Sequence, residues 1–303
     1  MALVCVAAIG SLLSTAHYAL LLALMLAYGM AAAIFDVAIN DEATAIERQA
    51  GRPLMSGFHG MFSLGGMVGA AAWSVLARAG VSAAGHLVAA AITLGALALI
   101  ASRFMLRQAR EPHAEGAPLS LPRGPLVLLG LMAALGLVGE GAMYDWSVLY
   151  LRQDLAAAAG MASLGYASFS GAMAAGRFAG DWVRARVRPA NLLRSSGLLA
   201  AAGMALALAV PHPVAALAGF ALVGLGFANI VPVLFSAAGQ LPGIAAAHGI
   251  AAVSSMGYLG MMAGPPLIGF IAQARSLAAG LLVVILFAVF VAALSRRALG
   301  RAS

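Results

Sequence analysis

The amino-acid sequence predicts an all-α protein, a polytopic membrane helix bundle with about ten transmembrane helices. Hydrophobic residues make up 63% of the chain and charged residues only 9%, whereas soluble domains carry about 25% charged residues. The apolar residues form runs of about 20, which is the length that an α-helix needs to cross a bilayer. The low charge and the length of these runs together exclude a soluble globular domain.

Four of the predicted spans precede the one long hydrophilic stretch of the chain. They cover residues 1–16, 19–40, 53–77 and 79–102. The polar stretch that follows is the expected linker between two helix bundles. The predicted domains are an incomplete N-terminal bundle of four spans (1–105), a cytoplasmic linker (106–123) and a C-terminal six-helix bundle (124–303).

Six spans are predicted after the linker. The first two cover residues 124–146 and 155–176. Residues 195–274 contain no Asp, Glu, Lys or Arg and are long enough for three spans. The turn signals PHP at 211–213 and QLPG at 240–243 divide this stretch. The last span covers residues 276–295 and is followed by arginines.

The placement of arginine predicts the orientation of these spans. All 17 basic residues are arginines, and the net charge is +7. In a membrane protein such an excess reports topology rather than nucleic-acid binding, because cytoplasmic loops are rich in basic residues. With the linker in the cytoplasm, 14 arginines fall on the cytoplasmic side and three on the other. We therefore expect both termini in the cytoplasm. The richness in Ala, Gly and Arg without lysine is typical of a GC-rich bacterial genome, so the expected location is the bacterial inner membrane, with multiple passes.

A carboxylate interrupts the second apolar run. Residues 19–35 are free of charge, and Asp36 and Asn40 follow within the same run. The spacing of four residues places both side chains on one helix face. A carboxylate within a span is costly and usually faces a water-filled path, which makes Asp36 and Asn40 candidates for a solute or proton site. The alternative is a structural Asp bonded to a neighbouring helix or hydrated near the cytoplasmic end.

Other polar side chains within the spans are further candidates for this site. Glu140 lies about 16 residues into the fifth span, with Tyr144 one turn later on the same face. Glu140 fits either a neutral, buried proton carrier or a paired or hydrated residue near the outer mouth. His59 fits either a proton-linked partner of Asp36 or a histidine bonded to the backbone. Asn229 and Pro232 on the eighth span are expected to allow close packing or a kink.

The residue types needed for several other functions are missing from the sequence. Cys5 is the single cysteine, so neither an intrachain disulfide nor a cysteine metal cluster is expected. No metal-ligand cluster, nucleophile elbow or phosphate-binding loop is present. The sequence therefore predicts a protein that is not an enzyme and has no cofactor, no bound metal and no nucleic-acid partner.

Residues 175–188, AGRFAGDWVRARVR, lie at the inner end of the sixth span. This stretch resembles the second-half copy of the signature loop of the major facilitator superfamily, G-x-x-x-D-(R/K)-x-G-(R/K). The residues that carry the resemblance are Gly176, Gly180, Asp181, Arg184 and Arg186. Arg177 stands where the family has its first Gly, which departs from the pattern. The resemblance implies that Asp181 and its arginines latch the cytoplasmic ends of helices in one state of a transport cycle.

The stretch FDVAINDEATAIERQAGRPLMSGFHGMFSLGG, residues 35–66, is similar to bacterial facilitators of the sugar-permease-like group that includes fucose permeases. In that group a carboxylate on the fourth helix takes part in substrate binding and proton coupling, and Asp36 falls at the matching place. The resemblance implies that the first helix of this chain corresponds to the third of twelve. The first two family helices are therefore expected to be absent.

The expected function is secondary active transport of a small solute, sugar-like or another small organic molecule, by alternating access. The resemblance also implies proton coupling and a monomer within the lipid bilayer. One rival is an efflux carrier for amphipathic compounds, which a predominantly hydrophobic cavity would suit. A second rival is a truncated fragment that does not transport.

Overall fold

The computed structural model describes residues 1–105 and 123–299, and all regular elements in these ranges are helical. The linker predicted at 106–123 lies almost entirely outside them. The α-helices are α1 (Ala2–Ser11), α2 (Tyr18–Ala50), α3 (Met55–Arg78), α4 (Ala83–Ala101), α5 (Pro125–Gln153), α6 (Ala159–Arg184), α7 (Pro189–Ala209), α8 (Pro213–Phe227), α9 (Ile230–Gly239), α10 (Ala246–Ala274) and α11 (Leu277–Leu299).

Seven helical stretches in the described ranges are long and apolar enough to cross a membrane. They are α2, α4, α5, α7, α10, α11 and the combined stretch Pro213–Gly239, which contains α8 and α9. The predicted all-α, multi-pass membrane protein is therefore confirmed. The count of about ten transmembrane helices stays a prediction, because α1, α3 and α6 are not among the seven.

The helices form two compact units. The first comprises Met1–Glu42 and Leu64–Ser120, and the structure describes residues 64–105 of the second range. Within it α1 packs against α4 through small residues. The Cβ of Ala91 would lie 2.9 Å from a Cβ added to Gly10, and Val6 and Leu3 lie against Gly95. Close packing of α1 on α4 thus depends on glycine.

The second unit comprises Ala43–Ser63 and Leu121–Ser303. Its core is built by α5–α11, with α5 packed on α10, α7 on α8 and α11, and α6 on α8. Gly203 of α7 and Gly219 of α8 face each other so closely that a Cβ on either would overlap the other's carbonyl oxygen. Phe169, Phe220 and Phe227 are almost fully buried in this core.

The division between the units passes through two helices. The last turns of α2 and the first turns of α3, residues Ala43–Ser63, belong to the second unit. We call them the α2–α3 segment. Its polar side chains find their partners on α6 and α9, as described below, which explains why it groups with those helices. The predicted boundaries at 105 and 123 stay a prediction.

The turn signals of the long uncharged stretch are confirmed. α7 ends at Ala209 and α8 begins at Pro213, and α9 ends at Gly239 before α10 begins at Ala246. The predicted kink is a complete break, because residues 228 and 229 separate α8 from α9. Pro232 has no N–H with which to bond the carbonyl four residues earlier, that of Ala228, so a continuous helix would lose a hydrogen bond at this point.

Candidate functional site

Glu47 lies in the last turn of α2 and shapes the turn into α3. Its Oε2 accepts hydrogen bonds from the backbone N–H groups of Leu54 (2.8 Å) and Met55 (2.9 Å). The first N–H groups of a helix have no partner within the helix. A carboxylate placed there satisfies them and interacts favourably with the helix dipole. Glu47 therefore holds the α2–α3 segment in its folded form.

Glu47 also joins this segment to two helices of the second unit. Arg184 of α6 donates from Nη1 to Oε2 (3.1 Å) and from Nη2 to Oε1 (3.3 Å). On α9, the Ser236 hydroxyl and the Gln240 amide (3.2 Å) donate to Oε1. The Glu47 side chain is only 6% exposed. Such two-pronged, charge-assisted bonding is among the stronger polar contacts in proteins.

Asp181 holds the start of α3 from the other side. Its Oδ1 accepts from the N–H of Ser56 (2.9 Å), and its Oδ2 accepts from the N–H of Gly57 (2.7 Å). Arg184 Nη1 also donates to Asp181 Oδ1 over 3.3 Å. Two carboxylates, Glu47 and Asp181, thus share Arg184. We call Glu47, Asp181 and Arg184, with the α3 N–H groups that they bind, the Glu47–Asp181 cluster.

Asn229, at the break between α8 and α9, is bonded to the same segment. Its Oδ1 accepts from the Ser56 hydroxyl over 2.8 Å, and its Nδ2 donates to the Gly176 carbonyl over 3.2 Å. Gly180 allows this approach, because a Cβ there would overlap the Asn229 amide oxygen. Gly176 similarly allows Ala228 to approach α6. Both glycines of the predicted signature loop therefore serve as contact points rather than as turns.

Gly180→Ala tests this contact. The added Cβ would lie 2.6 Å from Ser56 Cβ and would overlap Asn229, so the α2–α3 segment must shift. We expect the variant to lose about 1–3 kcal/mol of stability, which is typical of overpacking. Thermal unfolding in detergent measures the loss, and Gly171→Ala, which meets no atom within 4 Å, is the matched control. Equal melting temperatures for the two variants would contradict the close contact.

Arg186 lies apart from this cluster. Its Nη1 donates to the Trp182 carbonyl over 2.9 Å, and its guanidinium stacks over the Trp182 ring at 4.1 Å. Arg184 is therefore the arginine of the signature loop that bonds Asp181 in the described chain.

Glu140, Tyr144, Arg177 and Ser63 form a second polar group, which we call the Glu140–Arg177 cluster. Arg177 Nη2 lies 3.2 Å from both Glu140 oxygens, and Arg177 Nη1 donates to Ser63 Oγ over 2.8 Å. The Tyr144 hydroxyl donates to Glu140 Oε1 over 3.0 Å. The Arg177 and Glu140 side chains are only 4% and 8% exposed. Glu140 is therefore a paired carboxylate in this structure, and its role at a solute or proton site stays a prediction.

His59 lies on α3 between Ser56 and Ser63. Its ring meets the Phe235 ring edge-on, with the centroids 5.7 Å apart. Within the described residues its buried Nε2 atom has no hydrogen-bond partner. Asp36 belongs to the first unit and His59 to the second, so a pair between them stays a prediction.

Asp36 and Asn40 share a helix face, as their spacing predicts. Asn40 Nδ2 donates to the Asp36 backbone oxygen over 2.9 Å and to Asp36 Oδ1 over 3.1 Å. Asn40 is buried and Asp36 is half-buried. The amide thereby orients the carboxylate within α2.

Three residues of these clusters, Glu47, Ser63 and Arg177, are missing from the candidates that the sequence suggests. Glu47 resembles the other charged residues at the end of the second span, and Arg177 departs from the signature pattern. An arginine directly after the end of a predicted span, 37 residues from an intramembrane Glu, was the available signal for Arg177. Within the described residues, no group of three or more His, Cys, Asp or Glu side chains is arranged to hold a metal ion.

Comparisons with known proteins agree with this architecture. Residues 1–265 match the Major Facilitator Superfamily. An uncharacterised transporter of this type from Yersinia pestis is 38% identical over 272 residues, which cover 90% of this chain and 71% of that protein. The membrane protein MosC from Rhizobium meliloti is 37% identical, and the match covers 88% of this chain and 65% of MosC.

Solved structures show the same fold. A crystal structure of the fucose:proton symporter FucP of E. coli superposes with a TM-score of 0.80 at 16% identity, covering 98% of this chain and 81% of that one. A second FucP structure, in the outward conformation, has a TM-score of 0.81 at 17% identity. The family match over most of the sequence and the transporter relatives lead to one conclusion: this chain belongs to the major facilitator superfamily and is a membrane transporter rather than an enzyme.

Proposed function

We propose that this chain carries a small, sugar-like solute across the bacterial inner membrane by alternating access, coupled to protons, as a monomer with both termini in the cytoplasm. The observation that carries the proposal is the Glu47–Asp181 cluster. A membrane protein that needs only to be stable gains little from buried charged contacts, since apolar packing serves as well. Charged contacts that can break and re-form suit a protein with two states.

In this proposal the Glu47–Asp181 cluster is the cytoplasmic latch. While it is formed, the α2–α3 segment is held against α6 and α9. When it opens, the segment separates from these helices and the carboxylates become hydrated. Arg186, which bonds Trp182, has no part in the latch itself.

Asp36 and Asn40 are the proposed solute and proton residues of the first unit. Glu140, Tyr144, His59 and Asn229 are the corresponding candidates in the second unit. The likeness to FucP supports a sugar-like solute and proton coupling, because that protein is described as a fucose:proton symporter.

A two-step experiment tests the proposal. Solutes are first screened by thermal stabilisation of the purified protein, and uptake of the stabilising compounds is then measured in liposomes with and without a proton gradient. We expect a sugar-like solute to stabilise the protein and to accumulate only with the gradient. Gradient-driven export of amphipathic compounds would favour the efflux rival, and the absence of any transported compound would contradict the proposal.

Asp36→Asn isolates the contribution of the first-unit carboxylate. Asparagine keeps the shape and the bond to Asn40 but cannot take up or release a proton, so we expect gradient-driven accumulation to fall by about tenfold or more. The control is Asp154→Asn, which removes an exposed carboxylate directly after α5 and should leave accumulation within about twofold. Uptake equal to wild type across the pH range would remove Asp36 from the mechanism.

A further inference from the structure

We propose that Arg177 is a positioning residue that makes the docking of the α2–α3 segment depend on the charge of Glu140. This inference rests on the proposed function, since it assigns a control to the latch described there. It concerns the Glu140–Arg177 cluster, in which Arg177 bonds Ser63. The sequence does not predict that bond.

The guanidinium of Arg177 bonds residues on two other helices, α5 and α3. Of its three nitrogens, Nη2 bonds both oxygens of Glu140, and Nη1 bonds Ser63, the last residue of the α2–α3 segment. Its buried Nε has no partner within the described residues. One guanidinium thus joins α5, which carries Glu140, to the docked part of α3.

The charge of this guanidinium is balanced within the Glu140–Arg177 cluster. In the described chain the acidic partner of Arg177 is Glu140. The titratable groups that face the pair are Tyr144 on α5, His59 on α3, and Tyr166 on α6, whose ring meets that of Tyr144. Arg184 adds a further positive charge on α6 near His59. None of these groups supplies a second carboxylate, so Glu140 compensates the Arg177 charge.

A buried charge without a partner is costly. Once Glu140 is neutral, by protonation or by substitution, the docked state holds a desolvated guanidinium that meets only neutral dipoles. Removing one partner of a buried ion pair is strongly destabilising for this reason. Undocking exposes Arg177 to water and relieves that cost. A neutral Glu140 therefore favours release of Ser63 and, with it, of the helix start that Asp181 holds.

The N–H groups of Ser56 and Gly57 report this docking directly. They lie at the N-terminus of α3, where no intrahelical acceptor is available, and their acceptor is the Asp181 carboxylate of α6. The N–H groups of Leu54 and Met55 bond Glu47 within the segment and serve as an internal reference. Exchange of the Ser56 and Gly57 amide hydrogens should therefore rise on undocking.

The experiment measures hydrogen–deuterium exchange of the full chain in lipid nanodiscs, with residue-level fragmentation of the α2–α3 segment. We expect Glu140→Gln to speed exchange at Ser56 and Gly57 by about tenfold or more, because it leaves Arg177 unpaired. The double variant Glu140→Gln with Arg177→Gln removes both charges and should return to within about threefold of wild type. Asp154→Asn, an exposed carboxylate directly after α5, is the control.

The outcomes separate this inference from the proposed function. If Glu140→Gln exchanges like wild type while Asp181→Asn exchanges faster, the latch stands and the charge control is wrong. If the double variant exchanges as fast as Glu140→Gln, the unpaired arginine is not the cause, and the inference is also wrong. If Asp181→Asn changes nothing, the latch itself fails. Exchange of the α7 and α8 core amides in every variant shows whether the second unit is still folded.

Discussion

Glu47→Gln is expected to release the α2–α3 segment from α6 and α9. Glu47 accepts at least six hydrogen bonds in the described structure. Glutamine offers one oxygen instead of two and turns donor hydrogens toward Arg184, whose side chain is only 9% exposed. Loss of one partner of a buried ion pair costs about 3–5 kcal/mol. The docked population should fall accordingly.

Cysteine labelling measures this release. Thr44 is fully buried, and a Cβ added to Gly239 of α9 would lie 2.8 Å from Thr44 Cγ2. In a Cys5→Ser background, Thr44→Cys should react with a water-soluble maleimide about tenfold faster or more once Glu47 is replaced. The control is Arg48→Gln, the exposed neighbour of Glu47. Equal labelling rates in the Glu47→Gln and Arg48→Gln backgrounds would show that Glu47 does not hold the segment.

Asp181→Asn is expected to weaken the hold on α3 from the α6 side. A hydrogen bond to a charged group is worth about 1.5–3 kcal/mol, and Asp181 accepts two such bonds from the start of α3. Asparagine retains one acceptor oxygen and loses the charge that favours a helix N-terminus. Of the two N–H groups of Ser56 and Gly57, one therefore loses its acceptor.

Thermal unfolding of the purified protein tests this loss. We expect Asp181→Asn to melt several degrees below wild type, whereas Asp145→Asn, which changes an exposed carboxylate on α5, should melt like wild type. Asp181→Glu keeps the charge but carries an extra methylene toward Gly57, so it should recover only part of the stability. A melting temperature of Asp181→Asn equal to that of wild type would mean that the two bonds to α3 contribute nothing.

Much of the helical framework follows from the sequence because it depends on local properties. Charge-free runs, the prolines of PHP at 211–213 and QLPG at 240–243, and the i, i+4 spacing of Asp36 and Asn40 act over a few residues. The helices that end at Ala209 and Gly239, and the bond between Asn40 and Asp36, confirm these local expectations. The motif around Asp181 also identified a carboxylate of α6 that bonds the first N–H groups of another helix, α3.

The partners of these side chains could not be predicted in the same way. Arg184 and Glu47 are 137 residues apart, and Ser236 and Glu47 are 189 apart. Helical periodicity indicates which face a residue occupies but not which helix covers that face. Arg177 is the clearest case, since it breaks the family pattern and yet bonds Glu140 and Ser63. These bonds form only where α3, α5 and α6 meet, and a local sequence pattern does not predict which helices meet.

The interruption between α8 and α9 divides one apolar stretch into two helices with different contacts. α8 is locked by glycine contacts: Gly224 lies against the α6 backbone and Gly219 against that of α7. α9 contributes Ser236, which bonds Glu47, and the break residue Asn229 bonds Ser56. α9 has 10 residues, or about 15 Å of helix. If the proposed latch opens, a helix of this length can tilt with the α2–α3 segment while α8 keeps its contacts with α6 and α7.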